Sequence, residues 1–359
     1  MRFISFDELE AYMIQVFIAA GVPEADAAVC ADVLIESDKR GIDSHGIGRL
    51  KPIYIDRIRE GIINPVTKID VLREGPTTAV LDGNNGMGQV VSKYAMSLAI
   101  EKAKKFGMGM VAVRNSNHYG IAGYYATMAT QEGMIGITGT NARPSIAPTF
   151  GIENMLGTNP LVFGMPTDED FPFVLDCATS ITQRGKIEVY QRLGKDLPLG
   201  WVIGENGEAR TDTEAVLADL VTGGAALTPL GGIGEELGGY KGYGYATVVE
   251  ILSAALQSGV YLKALSGVSE GEKKPYQLGH FFIAVNIEAF TELDQFKKIT
   301  GDILRALRAS QKAPGHDRIY TAGEKEYLAF IERQVSGVPV NEALEKDIKK
   351  LAEYYSVFL

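Results

Sequence analysis

Of the 359 residues only two are cysteine, one is tryptophan and four are histidine. Cys30 and Cys177 lie far apart among apolar neighbours, which argues against a disulfide framework or a zinc site and favours reduced thiols. No stretch supplies the roughly 18 uninterrupted apolar residues that a bilayer crossing requires. Lys and Arg form no dense tract, and the net charge of −10 argues against a nucleic-acid or anionic-membrane partner. The opening MRFISFDELE carries acidic residues where a secretory signal has a basic start and an apolar run. A cytoplasmic protein is therefore expected. A P-loop, a nucleophile elbow and paired zinc-ligand spacing are also missing.

With 46% hydrophobic residues, the chain can bury a large core in two or three lobes. Ser5 and Glu8 have capping-box spacing ahead of a helix that runs to Gly21. Pro23 suits the first turn of a second helix, with Val29, Val33 and Leu34 inward and Gly41 as its stop. The stretch from Ser44 to about Ile62 reads as a third helix. Short apolar runs then alternate with helical patterns: Thr78–Leu81, Met110–Val113, Ile135–Thr138, Leu161–Phe163 and Phe173–Leu175, with helices near 88–106 and 120–132. A helix begins near Lys241, residues 266–279 read as an exposed loop, and 280–285 reads as a strand. The tail after 290 returns to amphipathic helices that can pack back on the N-terminal ones. The pattern predicts an α/β core, residues 73–289, beside a helical part made of residues 1–72 and 290–359.

Gly107-Met108-Gly109-Met110-Val111-Ala112 matches the spacing of a dinucleotide fingerprint but leaves a helix and enters a strand. The fingerprint must do the reverse, so it is rejected.

Several clusters could carry chemistry. In Asp43-Ser44-His45-Gly46-Ile47-Gly48-Arg49, a helix starting at Ser44 would put His45 and Arg49 on one face. Arg can clamp a carboxylate in two-pronged fashion while an imidazole moves a proton beside it. An ordinary surface helix start fits the same spacing. Asn115-Ser116-Asn117-His118-Tyr119-Gly120 follows a strand and precedes a helix, where α/β proteins place ligand contacts, and His118 is either a proton-transfer group or a nicotinamide contact. Arg143 in Asn141-Ala142-Arg143-Pro144 could be a second anion clamp. Thr158 and Asn159 could bond to substrate or simply make a turn. Asp176-Cys177-Ala178-Thr179-Ser180 hands a strand to a helix, and Asp176 could bond to a ribose. The glycine-dense run Gly231-Gly232 and Gly238-Gly239-Tyr240-Lys241-Gly242 could cradle a pyrophosphate or be a flexible loop. His280 reads as a satisfied core residue, and His316 lies in a loop.

Taken in order, DSHGIGR, SNHYGIAGYY, LGTNP, the D-x-A-T-S run, PLGG with GYKGYGY, and Ala322-Gly323-Glu324 resemble the malate/L-lactate dehydrogenase family of the non-Rossmann type, over nearly the whole chain. Within it the archaeal-type malate dehydrogenases are most similar. The resemblance implies a homodimer with NAD or NADP as cofactor, bound by a domain built on a largely antiparallel sheet. It implies a small 2-hydroxy acid, malate or lactate, as substrate. It also implies His45 or His118 as the proton donor and acceptor, Ser44 as the group orienting His45, and Arg49, Arg143 and Thr158 on the substrate. Cofactor contacts are implied for His118, Tyr119, Gly120, Ile121, Asp176, Cys177, Ala178, Lys241, Gly242, Ala322, Gly323 and Glu324. Lys186 stands where some relatives have an acidic residue, so no Ser-His-Asp relay is implied. Ala322 replaces a frequent proline. Ureidoglycolate, sulfolactate and imino-acid oxidoreductases are the neighbouring activities, and a nucleotide-binding protein without turnover is the alternative of another class.

Overall fold

The computed structural model describes residues 2–359. The chain opens with strand β1 (Arg2–Ile4) and helices α1 (Phe6–Ala19) and α2 (Glu24–Lys39). Ser5 Oγ accepts the Glu8 N–H at 3.3 Å, the cap its spacing predicts. Pro23 stands at the cap of α2 rather than inside its first turn.

The helix expected from Ser44 to Ile62 does not form as one element. Residues 43–46 make a turn, Ile47–Arg49 a single 3-10 turn, and Leu50–Ile55 winds in wider π-type turns. Only α3 (Asp56–Arg59) is α-helical. Gly46 and Gly48 are weak helix formers, and Pro52 has no N–H to donate, so a regular ladder is broken on both sides of Arg49. His45 and Arg49 are consequently not a helical pair.

Next come β2 (Asp70–Glu74), β3 (Thr78–Asp82), α4 (Gly88–Phe106), β4 (Met108–Ser116), α5 (Gly123–Gln131), β5 (Met134–Thr140), β6 (Leu161–Met165) and β7 (Phe173–Cys177), where the apolar runs predict them. They are followed by α6 (Arg184–Arg192), β8 (Val202–Gly204), α7 (Thr213–Thr222), β9 (Ala225–Leu227) and α8 (Gly239–Ala254). The segment expected as a plain loop at 266–279 is exposed but folds as a hairpin of β10 (Val268–Ser269) and β11 (Glu272–Lys273). Glu270 and Gly271 both take positive φ, +53° and +80°, as a tight two-residue hairpin turn demands. The chain closes with β12 (Leu278–Asn286), α9 (Leu293–Ala309), α10 (Glu324–Ser336), β13 (Val338–Val340) and α11 (Glu342–Tyr355).

Packing divides the chain into two compact units. The first comprises, of the described residues, 2–138, 162–176 and 282–359. Its mixed sheet has strand order β2-β3-β4-β12-β5-β6-β7; β2 runs antiparallel to β3, and β3 parallel to β4 with α4 as the crossover. Leu81, Val111 and Val113 of the sheet pack with Ala95 and Ala99 of α4 and with Tyr125 and Phe282, all fully buried, each large side chain contributing about 1.5–3 kcal/mol. Gly107 ends α4 in a left-handed conformation, and a Cβ on Gly109 would lie 2.1 Å from the Ala99 carbonyl. That run of glycines serves helix-to-strand packing, in keeping with its rejection as a nucleotide fingerprint. At the other end β13 pairs antiparallel with β1, and Phe330 of α10 stacks on Phe6 at 6.3 Å. The C-terminal segment thus packs back on the N-terminal helices.

The second unit comprises residues 139–161 and 177–281. Here α6, α7, α8 and the β8–β9 ribbon close over Ile187, Val202, Val216, Leu227 and Ala246. Among the described residues, no helix is long and apolar enough to cross a membrane. Cys30, buried, and Cys177, partly exposed, are not joined in a disulfide.

Candidate active site

Two of the four histidines meet in the first unit. The rings of His45 and His118 stack with centroids 5.7 Å apart and planes within 19°. His45 sits on the turn before the 3-10 segment, and its Nδ1 faces the Ser44 hydroxyl at 2.8 Å. The Arg49 side chain folds back so that its Nε donates to the Ser44 carbonyl. Burial of the His45 ring, and then the Arg49 charge, push its pKa down to about 4. At neutral pH this imidazole is therefore uncharged and ready to accept a proton.

His118 lies just past the end of β4. The Tyr54 hydroxyl lies 2.6 Å from its Nδ1, and the Gly120 N–H donates to the same nitrogen at 3.3 Å. Tyr54 is wholly buried, which raises its pKa and keeps it a neutral phenol. The main chain here is closely fitted: Asn117 Nδ2 donates to the Asn85 and Gly86 carbonyls at 2.9 and 3.0 Å. A Cβ on Gly88, at the start of α4, would lie 2.3 Å from the carbonyls of both Asn117 and His118. Gly120 has φ +82°, and a Cβ there would meet Val33 at 2.4 Å. Tyr119 and Ile121, named from the motif, turn their side chains into the core, Tyr119 stacking on Tyr125 at 4.9 Å. Only their main chain is left for a ligand.

A cavity of about 560 Å³ opens in the same unit, within the usual range for small-molecule sites. Asp176, Ala322 and Gly323 line it, with Arg40, Tyr320 and Tyr327. The rings of Tyr327 and Phe171 stack at 5.1 Å, a wall on which a planar base can lie. Asp176 accepts the Gly123 N–H at 2.6 Å with one oxygen. Gly323 has φ +90°, and any Cβ would press on the Pro172 carbonyl at 2.6 Å, so this wall must stay bare. Glu324 turns inward instead: only 2% exposed, it accepts the Thr321 N–H at 3.0 Å and pairs with Arg318, bracketing the start of α10. An aromatic wall, a carboxylate and a bare glycine edge are a donor set that fits the nucleoside part of a nicotinamide cofactor.

The second unit holds the remaining candidates. Arg143 is exposed and forms no ion pair with another described residue. The turns carrying Arg143 and Thr158 press together, since a Cβ on Gly157 would lie 2.4 Å from the Ala142 carbonyl. Thr158 and Asn159 offer their carbonyls to Thr179, at 2.9 Å and 2.9 Å. The glycine-dense stretch proves tightly packed rather than flexible. Gly231, Gly232 and Gly238 all have positive φ, and a Cβ on Gly239 would lie 2.0 Å from the Gly232 carbonyl. This folds the chain over the N-terminus of α8, a helix end that favours anions, with Lys241 exposed in its first turn and Gly242 flush against Leu230. Cys177 and Ala178 are partly exposed at the start of this unit. His280 is the core residue expected, its Nδ1 2.7 Å from the Thr140 hydroxyl, and His316 is exposed in a loop.

No motif points to Tyr54, Asp38 or Arg333 around the histidines, nor to Glu250 in the second unit. Glu250 is 6% exposed and accepts from Asn159 Nδ2 at 2.8 Å and from the Leu262 N–H at 2.9 Å. Burial raises its pKa, while the Leu262, Asn159 and Asn141 donors hold it down. Tyr54 lies 64 residues from His118 and Arg333 lies 290 from Asp43, distances that no local pattern spans.

A neutral imidazole beside a guanidinium is able to move a proton on a bound anion, and the same unit holds a nucleoside-sized cavity. The profile of the malate/L-lactate dehydrogenase family matches residues 4–349. The malate dehydrogenase of Pyrococcus abyssi is 47% identical over 98% of this chain and 94% of its own. The L-sulfolactate dehydrogenase of Methanocaldococcus jannaschii is 39% identical over 94% of this chain and 93% of its own. The crystal structure of malate dehydrogenase from Entamoeba histolytica superposes with a TM-score of 0.96 at 49% identity, covering 100% of this chain and 99% of that one. The chain belongs to the malate/L-lactate dehydrogenase family and is an oxidoreductase.

Proposed function

We propose that the protein is an NAD(P)-dependent malate dehydrogenase, interconverting L-malate, or lactate, and the corresponding 2-keto acid. The observation that carries this reading is full-length likeness to malate dehydrogenases combined with a neutral, half-buried imidazole beside Arg49. When bound, the nicotinamide supplies the hydride acceptor and donor. Arg49, with Arg143, binds the substrate carboxylate, and Thr158 bonds to its polar atoms. His45 takes the hydroxyl proton during oxidation and returns it during reduction, with Ser44 orienting the ring. A carboxylate on Arg49 cancels part of the charge that depresses the His45 pKa, so substrate binding readies the ring for protonation. His118, tied to Tyr54, packs against His45 and would contact the nicotinamide of a bound cofactor.

Gly120, Asp176, Cys177, Ala178, Lys241, Gly242, Ala322 and Gly323 hold the cofactor through side chains or main chain, Tyr119 and Ile121 through main chain alone, and Glu324 fixes the turn beside them. The cofactor domain is of the non-Rossmann type, spanning residues 73–289; the turn from β3 into α4 reads Gly86-Met87-Gly88-Gln89-Val90-Val91, with valine where the fingerprint has its third small residue. Residues 1–72 and 290–359 form the helical, substrate-side and dimerisation part. Support for a homodimer comes from α9, which exposes Ile299, Ile303 and Leu307 at successive four-residue spacings. The working compartment is the cytoplasm.

The test is absorbance at the reduced-nicotinamide band with NADH and NADPH against oxaloacetate, pyruvate, sulfopyruvate and a cyclic imino acid. Rapid oxidation with oxaloacetate supports the reading and names the cofactor. A preference for sulfopyruvate selects the second reading, which the L-sulfolactate dehydrogenase relative favours. Silence with every keto acid despite cofactor binding rejects both.

A further inference from the structure

The turn that carries Ser44 and His45 has a main-chain bond of its own, from the His45 N–H to the Ile42 carbonyl at 3.0 Å, but no helical ladder, so side chains from outside also grip it. One end is fixed by Asp38, near the C-terminus of α2, whose carboxyl accepts the Ile47 N–H at 2.8 Å. The fit is flush: a Cβ on Gly46 would lie 1.9 Å from Asp38 Oδ1. The other end is fixed by Arg333 of α10, which donates to both carboxylate oxygens of Asp43, at 2.6 and 3.1 Å. The same guanidinium donates to the Asp38 carbonyl at 2.6 Å. That carbonyl belongs to the last turn of α2, where acceptors lack helical partners and a cation is favoured. Arg333 is 14% exposed along its side chain, and a planar fork is required to reach the two carboxylate oxygens and the carbonyl together. The clamp spans 290 residues of sequence.

We propose that Arg333 is a positioning residue for the reaction. By locking Asp43 to the end of α2, it fixes the Ser44–His45 turn and keeps the His45 imidazole stacked on His118. This rests on the reading of His45 as the acid/base group. Arg333 touches no reacting atom, and its removal acts by letting the imidazole drift from its working place. A displacement of about 1 Å in such a group costs on the order of 100-fold in rate.

Arg333→Met, Arg333→Lys, His45→Ala and the His45→Ala/Arg333→Met double variant are compared, with thermal melts, cofactor dissociation constants and steady-state kinetics. Arg333→Met is expected to lower kcat by about 10- to 100-fold with the cofactor dissociation constant unchanged. Arg333→Lys recovers only part, because an ammonium cannot span all three acceptors. In the His45→Ala background the Met substitution removes nothing further. An equal fractional loss in both backgrounds, or a normal kcat in Arg333→Met, overturns the proposal. If the Met variant does not fold, the Lys variant decides: wild-type kcat overturns it, and a reduced kcat absent from the His45→Ala background supports it. A normal rate in His45→Ala alone rejects the acid/base reading of His45 and any catalytic part for Arg333. The clamp itself is then judged separately by the His45 ring nitrogen resonances, which Arg333→Met displaces if it holds the turn.

Discussion

The imidazoles of His45 and His118 stack at 5.7 Å, and each is tied at its Nδ1 to a hydroxyl, Ser44 for one and Tyr54 for the other. Both rings are oriented by the same device, which leaves Nε2 of each as the nitrogen turned away from its tether. The difference lies in the tethers, since Ser44 is exposed and Tyr54 is buried.

His45 should titrate far below an ordinary histidine. Its folded pKa is about 4, against roughly 6.5 in an unfolded chain. Between those values the unfolded chain takes up a proton at this ring and the folded protein does not. The contribution to stability is therefore present above about pH 6.5 and is lost as pH falls towards 4. Ring-nitrogen NMR across pH 4 to 8 reads this directly, and a His45 midpoint near 6.5 contradicts the burial argument. Adding a 2-keto acid should move the midpoint upward.

Asp38 should behave in the opposite sense. Burial, opposed mainly by the Ile47 N–H, pushes its pKa up to about 8. Stability from the neutral carboxyl is present below the ordinary carboxylate range and is lost as pH rises through about 8. Asp38→Asn keeps an acceptor for Ile47 and removes the ionisation. Its melting temperature relative to the parent should therefore climb between pH 5 and 9, by about 3 °C or more. A constant difference over that range rejects the account.

Tyr54→Phe removes the hydroxyl facing His118 and leaves the longer Gly120 N–H contact at 3.3 Å on that ring nitrogen. A loss of about 1–3 kcal/mol in unfolding free energy is expected, with a fall in kcat and an unchanged KM for the cofactor. Denaturant titration and steady-state kinetics measure the two parts. A stable variant with normal kcat denies Tyr54 its orienting part.

Glu250→Ala releases the Asn159 amide and the Leu262 N–H in the second unit. Because Asn159 and Asn141 belong to the turns carrying Thr158 and Arg143, substrate KM should rise more than about 10-fold, alongside a stability cost of about 2–4 kcal/mol. Cofactor affinity should hold. If KM stays constant while the melting point falls, Glu250 is structural only.

Gly239→Ala tests the packed glycines. Its Cβ would meet backbone oxygens of Gly232 and Gly234 at 2.0 and 2.7 Å, contacts that side-chain motion cannot relieve. A loss of about 1–3 kcal/mol follows, together with weaker cofactor binding. A variant with parental melting and cofactor affinity would show the stretch to be slack.

Much of this protein was legible in its residues. Helix α4 and strands β3 to β7 follow from apolar period and glycine punctuation, because local steric preference and one buried face act within a few residues. The His45, Arg49 and His118 motifs were legible for the same reason, being short and rich in uncommon residues. Where the reading failed, at Ser44 to Ile62, two glycines and Pro52 outweighed an apolar pattern that looked helical, and at 266–279 polar composition concealed a hairpin set by two positive-φ residues.

The sequence by itself determined the element order, the family and the residue types able to bind an anion and move a proton. Only the tertiary structure decided that His45 stacks on His118, that Tyr119 and Ile121 belong to the core, and that Asp38, Arg333 and Glu250 hold the working turns. Those relations join residues from nine to 290 positions apart, and the burial and close contact that make them strong exist only once the chain has folded.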